Sequence, residues 1–251
     1  MANEAAWLHG KTALVTGAAK RLGAATALEL ARHGAAILVH YDKSEADAKN
    51  VARQITDLGV RAWTIPADFS DPAAADALFD RAVHLAGPID ILVNNASVFP
   101  HAGLATLSPA DLHANLDVNA LAPLLLSRRF FAQGRPGCII NFLDARITDF
   151  DSEHAAYHLS KRMLFSLTRM MALEFAPAVR VNAVAPGLIL PPEGEDQSYL
   201  ERLAHTNPLG RHGGARDVTE AVLFLIRSEF ITGQVIFVDG GRHIKGAMYG
   251  L

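Results

Sequence analysis

The chain has 251 residues, of which 50% are hydrophobic, and a formal net charge of −3 at pH 7. This length can bury the core of one large domain, and the nearly balanced charge gives no reason to expect nucleic acid or an anionic membrane as a partner. Cys138 is the only cysteine, which excludes an intrachain disulfide and suits a reducing compartment. Residues 1–10 lack the basic and apolar regions of a signal peptide, and no uncharged apolar run approaches the ~20 residues of a membrane span. We therefore expect a soluble, cytoplasmic protein with a single domain over residues 1–251.

Short apolar runs alternate with longer amphipathic stretches along the chain. The amphipathic stretches predict helices at Leu22–His33, Glu45–Leu58 and Ala73–Leu85. The apolar runs predict seven strands, at Thr12–Thr16, Ala36–His40, Arg61–Ile65, Ile91–Asn94, Cys138–Phe142, Val179–Val184 and Gln234–Val238. Their nearly continuous apolar character is typical of strands buried on both faces of a sheet. The alternation favours the α/β class, here a Rossmann-type doubly wound parallel sheet of about seven strands flanked by helices.

Capping residues and one unpatterned stretch add local detail. Asp71 and Ser108 each precede a proline, as an N-cap residue does before the first helical position. Residues 186–198 show no periodic pattern and are rich in proline, glycine and acidic residues. A loop of that length in a compact domain is usually functional or mobile, so we predict a substrate loop over residues 186–205.

The first predicted strand runs directly into the segment Thr16-Gly17-Ala18-Ala19-Lys20-Arg21-Leu22-Gly23, and a helix follows. Glycine lets the backbone approach a pyrophosphate closely, and a helix N-terminus offers free N–H groups and a positive dipole end. Such a turn after the first strand is where a doubly wound fold binds a dinucleotide. The two glycines alone are equally compatible with an ordinary strand-to-helix turn.

Tyr157 and Lys161 are four residues apart and share one face of a predicted helix. A phenol normally holds its proton up to a pKa of about 10. A cation nearby favours the phenolate, so we expect Lys161 to lower the pKa of Tyr157 toward the range of an acid–base catalyst. The pair alone also occurs on ordinary solvated helix faces.

Four motifs together resemble the short-chain dehydrogenase/reductase family over essentially the whole chain. They are Gly17-x-x-x-Arg21-x-Gly23, Asn94-Asn95-Ala96, Tyr157-x-x-x-Lys161 and the segment from Arg180 to Gly187. The family usually has glycine where Arg21 stands, and arginine there is similar to the pteridine reductase branch. That branch also carries aspartate where most of the family has serine, which corresponds to Asp144 here.

The resemblance implies roles for individual residues. Tyr157 donates a proton, Lys161 binds the nicotinamide ribose, and Asn119 anchors a water near the lysine. Asp144 contacts the amino group and ring nitrogens of a pterin, and Phe99 stacks on one face of that ring. Taken alone, Asp144 is more typical of a solvated loop carboxylate and Phe99 of a core residue, and only their joint occurrence with Arg21 favours the functional interpretation. The family is usually tetrameric, so we expect a homotetramer.

The end of the second strand bears on the choice of cofactor. Asp42 argues for NAD, whereas Lys43, Ser44 and Arg21 suit the 2′-phosphate of NADP, so we predict NADPH. The predicted cofactor-binding residues are Gly17, Arg21, Leu22, His40, Tyr41, Lys43, Ser44, Asp68, Phe69, Asn95, Ala96, Ser97, Tyr157, Lys161, Pro186 and Gly187. The predicted substrate-binding residues are Arg21, Ser97, Phe99, Asp144, Tyr157 and Leu188.

The leading functional hypothesis is NADPH-dependent reduction of a pterin or folate ring, a small-molecule substrate. A carbonyl reductase that acts on a 3-oxoacyl thioester or a sugar is the first alternative, although the charge of Asp144 would repel a developing alkoxide. A non-catalytic NADP-binding sensor is the second, and Tyr157 with Lys161 counts against it. His154 and His158 are spaced like metal ligands but have no third ligand at hand, so we expect no metal site.

Overall fold

The computed structural model describes residues 6–192 and 194–245. Its centre is one sheet of seven strands in the order β3-β2-β1-β4-β5-β6-β7, and every neighbouring pair is parallel. The strands are β1 (Thr12–Val15), β2 (Ala36–Tyr41), β3 (Ala62–Pro66), β4 (Ile91–Asn94), β5 (Gly137–Phe142), β6 (Val179–Pro186) and β7 (Val235–Val238). The predicted Rossmann-type α/β fold is confirmed, and no strand bound differs from its prediction by more than two residues.

Helices cover both faces of the sheet. They are α1 (Arg21–Arg32), α2 (Glu45–Asp57), α3 (Pro72–Ala86), α4 (Pro109–Leu116), α5 (Ala122–Phe131), α6 (Ala155–Glu174), α7 (Gln197–Leu203) and α8 (Ala215–Arg227). Helices α1, α2 and α8 pack on one face through residues such as Leu30, Ile55 and Val222. Helices α3 and α5 pack on the other face, where Leu78 and Phe130 are fully buried.

The predicted helix starts are confirmed. Asp71 caps α3 by accepting the N–H of Ala73 at 3.0 Å. Ser108 and Asp111 form a reciprocal capping box at the start of α4, with each side chain accepting the backbone N–H of the other residue at 3.1 Å. Both caps satisfy amide groups that the first helical turn leaves free, which fixes where each helix begins.

Two regions depart from simple patterning. Residues Asp117–Leu121 form one π-helical turn between α4 and α5, a feature that often marks a functional position. The predicted substrate loop is not irregular throughout, because its later part contains α7 and the 3₁₀ turn Ala204–Thr206. Within the described residues, no helix has the length and apolar character that crossing a membrane requires.

The order of the strands reverses between β1 and β4. From β1 the chain adds β2 and β3 on one side of the sheet, and from β4 it adds β5, β6 and β7 on the other side. In such a sheet the helices leave a crevice at the carboxyl ends of the strands at this reversal. The segments after β1, β4, β5 and β6 therefore converge on one edge. These segments carry the glycine turn, Asn95, Asp144 and Gly187.

Candidate active site

A buried hydrogen-bond network holds the glycine turn after β1. The Thr16 hydroxyl accepts the backbone N–H groups of Asn95 at 2.9 Å and Ala96 at 3.0 Å. The Asn95 side-chain amide donates to the carbonyl oxygens of Thr16 at 2.9 Å and Gly17 at 3.1 Å. Because these bonds join the ends of β1 and β4, they fix the floor of the crevice. Sequence analysis missed Thr16 as the acceptor that joins the two strands. The signal was the position of this hydroxyl residue between β1 and the glycine turn.

His40 supports the same turn from behind. Its Nδ1 accepts the N–H of Gly17 at 3.0 Å, and its Nε2 lies 3.1 Å from the carbonyl oxygen of Ala67. Burial lowers the pKa of His40 to about 4, so the ring is neutral at pH 7 and donates from Nε2. The ring also stacks on Phe69 with centroids 4.4 Å apart. His40 thus lies beneath the turn, and its side chain shapes the backbone of the cofactor-side wall.

Arg21 and Gly23, the other two named residues of the glycine motif, lie at the start of α1. Arg21 has φ of +55°, and it is the one non-glycine residue with positive φ in the described part of the chain. This left-handed backbone favours glycine, the usual family residue. A Cβ at Gly23 would lie 2.1 Å from the carbonyl oxygen of Gly17, so only glycine fits there. Lys20, the N-cap residue, makes no side-chain capping bond, and the first turn of α1 is left to bind an anion.

Tyr157 and Asp144 form the chemical centre of the opposite wall. The Tyr157 hydroxyl donates to Asp144 Oδ2 at 2.8 Å. Burial raises the pKa of Tyr157 well above its ordinary value, and the charge and hydrogen bond of Asp144 raise it further. The predicted lowering of the Tyr157 pKa is therefore wrong, because burial and the Asp144 carboxylate outweigh the opposing charge, which is that of Arg146. The phenol stays protonated at pH 7 and can act as a proton donor.

Asp144 is also held from its other side. Its Oδ1 accepts the N–H of Arg146 at 2.7 Å and caps the 3₁₀ turn Ala145–Thr148. One carboxylate oxygen therefore fixes the backbone while the other faces Tyr157. This double attachment gives the carboxylate a defined orientation at the edge of the crevice.

Lys161 lies one helical turn beyond Tyr157 on α6. Its Nζ donates to the carbonyl oxygen of Phe142 at 2.8 Å and lies 5.7 Å from the centroid of the Tyr157 ring. Burial lowers the pKa of Lys161 to about 8, and the charge of Asp144 opposes that shift. The side chain is 3% exposed, so this ammonium has little solvation of its own.

Asn119 is fully buried in the π-helical turn. Its Oδ1 accepts the N–H of Val98 at 2.9 Å, and its Nδ2 donates to the carbonyl oxygen of Val98 and the Ser160 hydroxyl, each at 3.0 Å. These bonds fix the segment after β4 against α6. The predicted role of Asn119 as a water anchor stays a prediction, while the observed bonds give it a clear positioning role.

Phe99 stands at the mouth of the crevice and is 50% exposed. Its ring stacks on His154 with centroids 3.9 Å apart and meets the Tyr157 ring edge-on at 4.5 Å. Phe99 is therefore no core residue. Its exposure leaves apolar aromatic surface next to the Tyr157 hydroxyl, where a planar substrate could pack.

These groups surround one cleft of about 450 Å³. Twelve of the predicted site residues line it: Gly17, Arg21, Leu22, Asn95, Ala96, Ser97, Phe99, Asp144, Tyr157, Lys161, Pro186 and Gly187. The wall also contains residues that were not among the predicted site residues. Gly23 belongs to the predicted glycine motif, and Ile189, Leu190 and Pro192 belong to the predicted substrate loop, whereas Lys20, Phe142 and Leu143 are neighbours of predicted residues. Most of these continue predicted segments, so extending each motif by a few residues would have found them.

The remaining predicted residues lie away from this cleft. Leu188 is buried and lines a second cavity beside Asn207 and Asp239. Tyr41 is buried at the end of β2.

Lys43 is exposed, with Nζ 3.6 Å from Asp42 Oδ2, and Ser44 is the N-cap residue of α2. The backbone N–H of Ser70 binds Asp68 and lowers the pKa of its carboxyl group. Lys43 and Ser44 are positioned beyond the glycine turn, on the side of β2.

The predicted substrate loop is attached to the glycine turn. The guanidinium of Arg21 donates to the carbonyl oxygen of Pro191 at 2.8 Å. Arg21 thus joins the glycine turn to the segment after β6 at the cleft. The predicted contact of Arg21 with both cofactor and substrate remains a prediction, and the place of Arg21 in the lining of the cleft is compatible with it.

Known proteins with similar sequences and structures extend over nearly all of this chain. A family model described as enoyl-(acyl carrier protein) reductase matches residues 17–243. The 3β-hydroxysteroid dehydrogenase 1 of Eggerthella lenta is 35% identical over an alignment of 254 positions, which covers 93% of this chain and 94% of the relative.

Two solved structures share the architecture. FolM alternative dihydrofolate reductase 1 from Brucella canis, in complex with NADP, has a TM-score of 0.89 and 32% identity, with 97% of each chain covered. The angucycline C-6 ketoreductase LanV with bound NADP has a TM-score of 0.87 and 30% identity, with 94% of this chain and 97% of that chain covered.

Proposed function

Because this chain belongs to the short-chain dehydrogenase/reductase family, we propose that it uses NADPH to reduce the ring of a pterin or a dihydrofolate. The cofactor is NADPH, in line with the NADP held by the two solved relatives. The observation that carries the substrate proposal is the carboxylate of Asp144, which contacts the Tyr157 hydroxyl beside the exposed face of Phe99.

The residues present fit a bound dinucleotide. The uncapped start of α1 would hold the pyrophosphate, since it presents backbone N–H groups and the positive end of the helix dipole, and the glycine turn would let the backbone come close to it. Lys161 would bind the nicotinamide ribose, and Lys43 with Ser44 would accept the 2′-phosphate. When bound, the reduced nicotinamide supplies the hydride.

Tyr157 provides the proton in this proposal. Its raised pKa keeps the phenol neutral, so the hydroxyl can donate to a ring nitrogen of the substrate. Lys161 then stabilises the phenolate that remains, because its ammonium lies beside the tyrosine ring. Asp144 already accepts the Tyr157 proton in a hydrogen bond and is placed to pass a proton back from solvent.

Asp144 also fits the chemistry of the substrate edge. The aminopyrimidine edge of a pterin carries N–H donors, and a carboxylate is the acceptor that pairs most strongly with them. Phe99 offers an aromatic face for stacking on the same ring. The dihydrofolate reductase FolM, a solved relative at 32% identity, supports this substrate class.

A ketone is the second candidate substrate. The relatives at 35% and 30% identity are a steroid dehydrogenase and a ketoreductase, which favour a carbonyl group as the hydride acceptor. The carboxylate of Asp144 counts against it, because the tetrahedral product develops negative charge on oxygen.

An Asp144→Ser variant separates the two candidates. Loss of a charge-assisted contact costs about 1–3 kcal/mol, so dihydropterin reduction should fall roughly tenfold or more, whereas serine can still cap the following 3₁₀ turn. Asp144→Asn is the control for shape, since it removes the charge and keeps the size.

The measurement is kcat/KM of all three proteins with NADPH and dihydrobiopterin, dihydrofolate or an acetoacetyl thioester. Unchanged pterin activity in both variants would contradict the pterin proposal. A thioester rate that rises in Asp144→Ser and exceeds both pterin rates would favour a ketoreductase.

Cytoplasmic location and a homotetramer belong to the same proposal. Light scattering of the purified protein coupled to size-exclusion chromatography tests the tetramer. Fluorescence microscopy of a tagged chain in its own cells tests the location.

A further inference from the structure

A group of three metal-binding side chains lies beside the cleft and has no part in the proposed reaction. His101, Glu153 and His154 each offer one donor atom, and these atoms all lie within 4.8 Å of one another. His101 and Glu153 are exposed, whereas His154 is 6% exposed. Two imidazoles and a carboxylate form a donor set that zinc uses in proteins, with a fourth position left for water.

His154 carries the strongest sign of a missing ligand. Within the described chain, its Nε2 is buried and has no hydrogen-bond partner. A buried polar nitrogen without a partner is costly and calls for an explanation. Its other nitrogen, Nδ1, lies 3.1 Å from both carboxylate oxygens of Asp151 and so carries the proton. The lone pair of Nε2 is therefore free to bind a cation.

Asp151 completes the arrangement that metal-binding histidines usually show. A carboxylate on the far nitrogen fixes the tautomer and orients the ring toward the ion. Asp151 also pairs with Arg146, which fixes the carboxylate in place. His158 Nε2 lies 3.1 Å from Asp151 Oδ2, so His158 is a partner of this carboxylate.

The backbone brings the donors together before any ion binds. The N–H of Ala102 donates to the carbonyl oxygen of Glu153 at 2.7 Å, and the N–H of Ala155 donates to the carbonyl oxygen of Ala102 at 2.9 Å. These bonds join the loop that carries His101 to the residues just before α6. The site is thus largely preorganised, which reduces the entropy that binding must overcome.

We propose that His101, Glu153 and His154 form a binding site for a divalent transition metal of the zinc type. The expectation of no metal site considered His154 with His158 and missed His101, which comes from a distant loop. Phe99 stacks on His154, so the bound ion would also hold the aromatic wall of the cleft in place. Its effect on the reaction would be one of positioning.

The test starts from the full chain stripped with a chelator and titrated with Zn²⁺ in a calorimeter. We expect one saturable site per chain. His101→Ala and Glu153→Gln should each weaken binding tenfold or more, whereas His84→Ala, which removes an exposed histidine on α3, should leave the affinity unchanged. Both ligand variants change exposed side chains, so neither should unfold the protein.

Two further measurements make the outcome decisive. Asp151→Asn should weaken Zn²⁺ binding about tenfold to a hundredfold, as loss of an orienting carboxylate does. Co²⁺ in place of Zn²⁺ should give visible absorption bands of a four-coordinate ion, and His101→Ala should lose them. Absence of one-to-one binding, or equal Zn²⁺ affinity in wild type, His101→Ala and Glu153→Gln, would overturn the proposal.

Discussion

The two walls of the cleft are both buried and polar, but they are built for different purposes. At the glycine turn, the bonds of Thr16, Gly17 and Asn95 join neutral groups, and a close backbone contact at Gly23 sets the shape of the turn. In the opposite wall, Asp144, Tyr157 and Lys161 are ionisable, and burial shifts the pKa values of the latter two. The first wall should therefore be sensitive to added volume, and the second to single atoms and to pH.

Removing the hydroxyl oxygen of Tyr157 should have the largest effect on activity. Tyr157→Phe keeps the ring that packs against Phe99 but loses the proton donor, so kcat should fall by about 10² to 10⁴. NADPH affinity, measured by fluorescence titration, should change little. A variant with near-normal turnover would mean that another group supplies the proton.

Adding one methyl group to the glycine turn should have the next largest effect. In Gly23→Ala the new Cβ would need to displace the backbone oxygen of Gly17, and such overpacking costs about 1–3 kcal/mol or more. We expect NADPH to bind roughly tenfold to a hundredfold more weakly, with no change in the pH profile. Gly214→Ala is the matched control, because its nearest neighbour would be 3.8 Å away. Equal affinity in both variants would show that the turn tolerates volume.

A pH profile distinguishes the two walls directly. The folded pKa of Lys161 is about 8, below its ordinary value of 10.5, so Lys161 loses its charge in the free enzyme as the pH rises through about 8. We expect kcat/KM for NADPH to fall above that pH, because this ratio reports on the free enzyme. Lys161→Arg stays charged and should move the basic limb upward, whatever its absolute rate. A basic limb in the same place in both proteins would assign it to another group.

The lowered pKa of Lys161 also predicts how the stability of the fold depends on pH. Between about pH 8 and 10.5 the unfolded chain binds more protons at Lys161 than the folded chain does, so this residue's contribution to stability rises with pH in that window. Below pH 8 the full penalty for burying the ammonium is present.

An exposed residue outside both walls should give the smallest effect. Lys43→Ala removes a side chain that is 86% exposed, and exposed ion pairs contribute about 0.2–1 kcal/mol. NADPH binding should weaken by a few-fold and NADH binding should not change. Lys49→Ala, which removes an exposed lysine on α2, is the control. Equal losses for both cofactors would remove Lys43 from recognition of the 2′-phosphate.

Sequence patterns predicted the sheet well because buried parallel strands leave a strong local mark. Ile91–Asn94 matched the structure at both ends, and no other strand end was more than two residues off. Motif spacing also brought Tyr157, Lys161 and Asp144 to one wall. These features depend on residues that are close in the chain or on a fold shared by the whole family.

The features that were missed depend on contacts between distant segments. Nothing near His40 in the chain indicates that its ring faces Gly17, and nothing near His101 indicates that it meets His154. The pKa of Tyr157 was predicted in the wrong direction because the degree of burial was unknown. Burial and tertiary pairing decide such properties, and neither is written in a local pattern.

The bond between Arg21 and Pro191 spans 170 positions of the chain. During synthesis the glycine turn leaves the ribosome early, but its partner in the substrate loop is among the last parts to follow. Contacts of such long range form slowly, since a large loop must close first. A growing chain that ends before Val179 lacks β6 and therefore exposes an unfinished crevice and the unpaired edge of β5. We expect the nascent protein to depend on chaperones until β6 has joined the sheet.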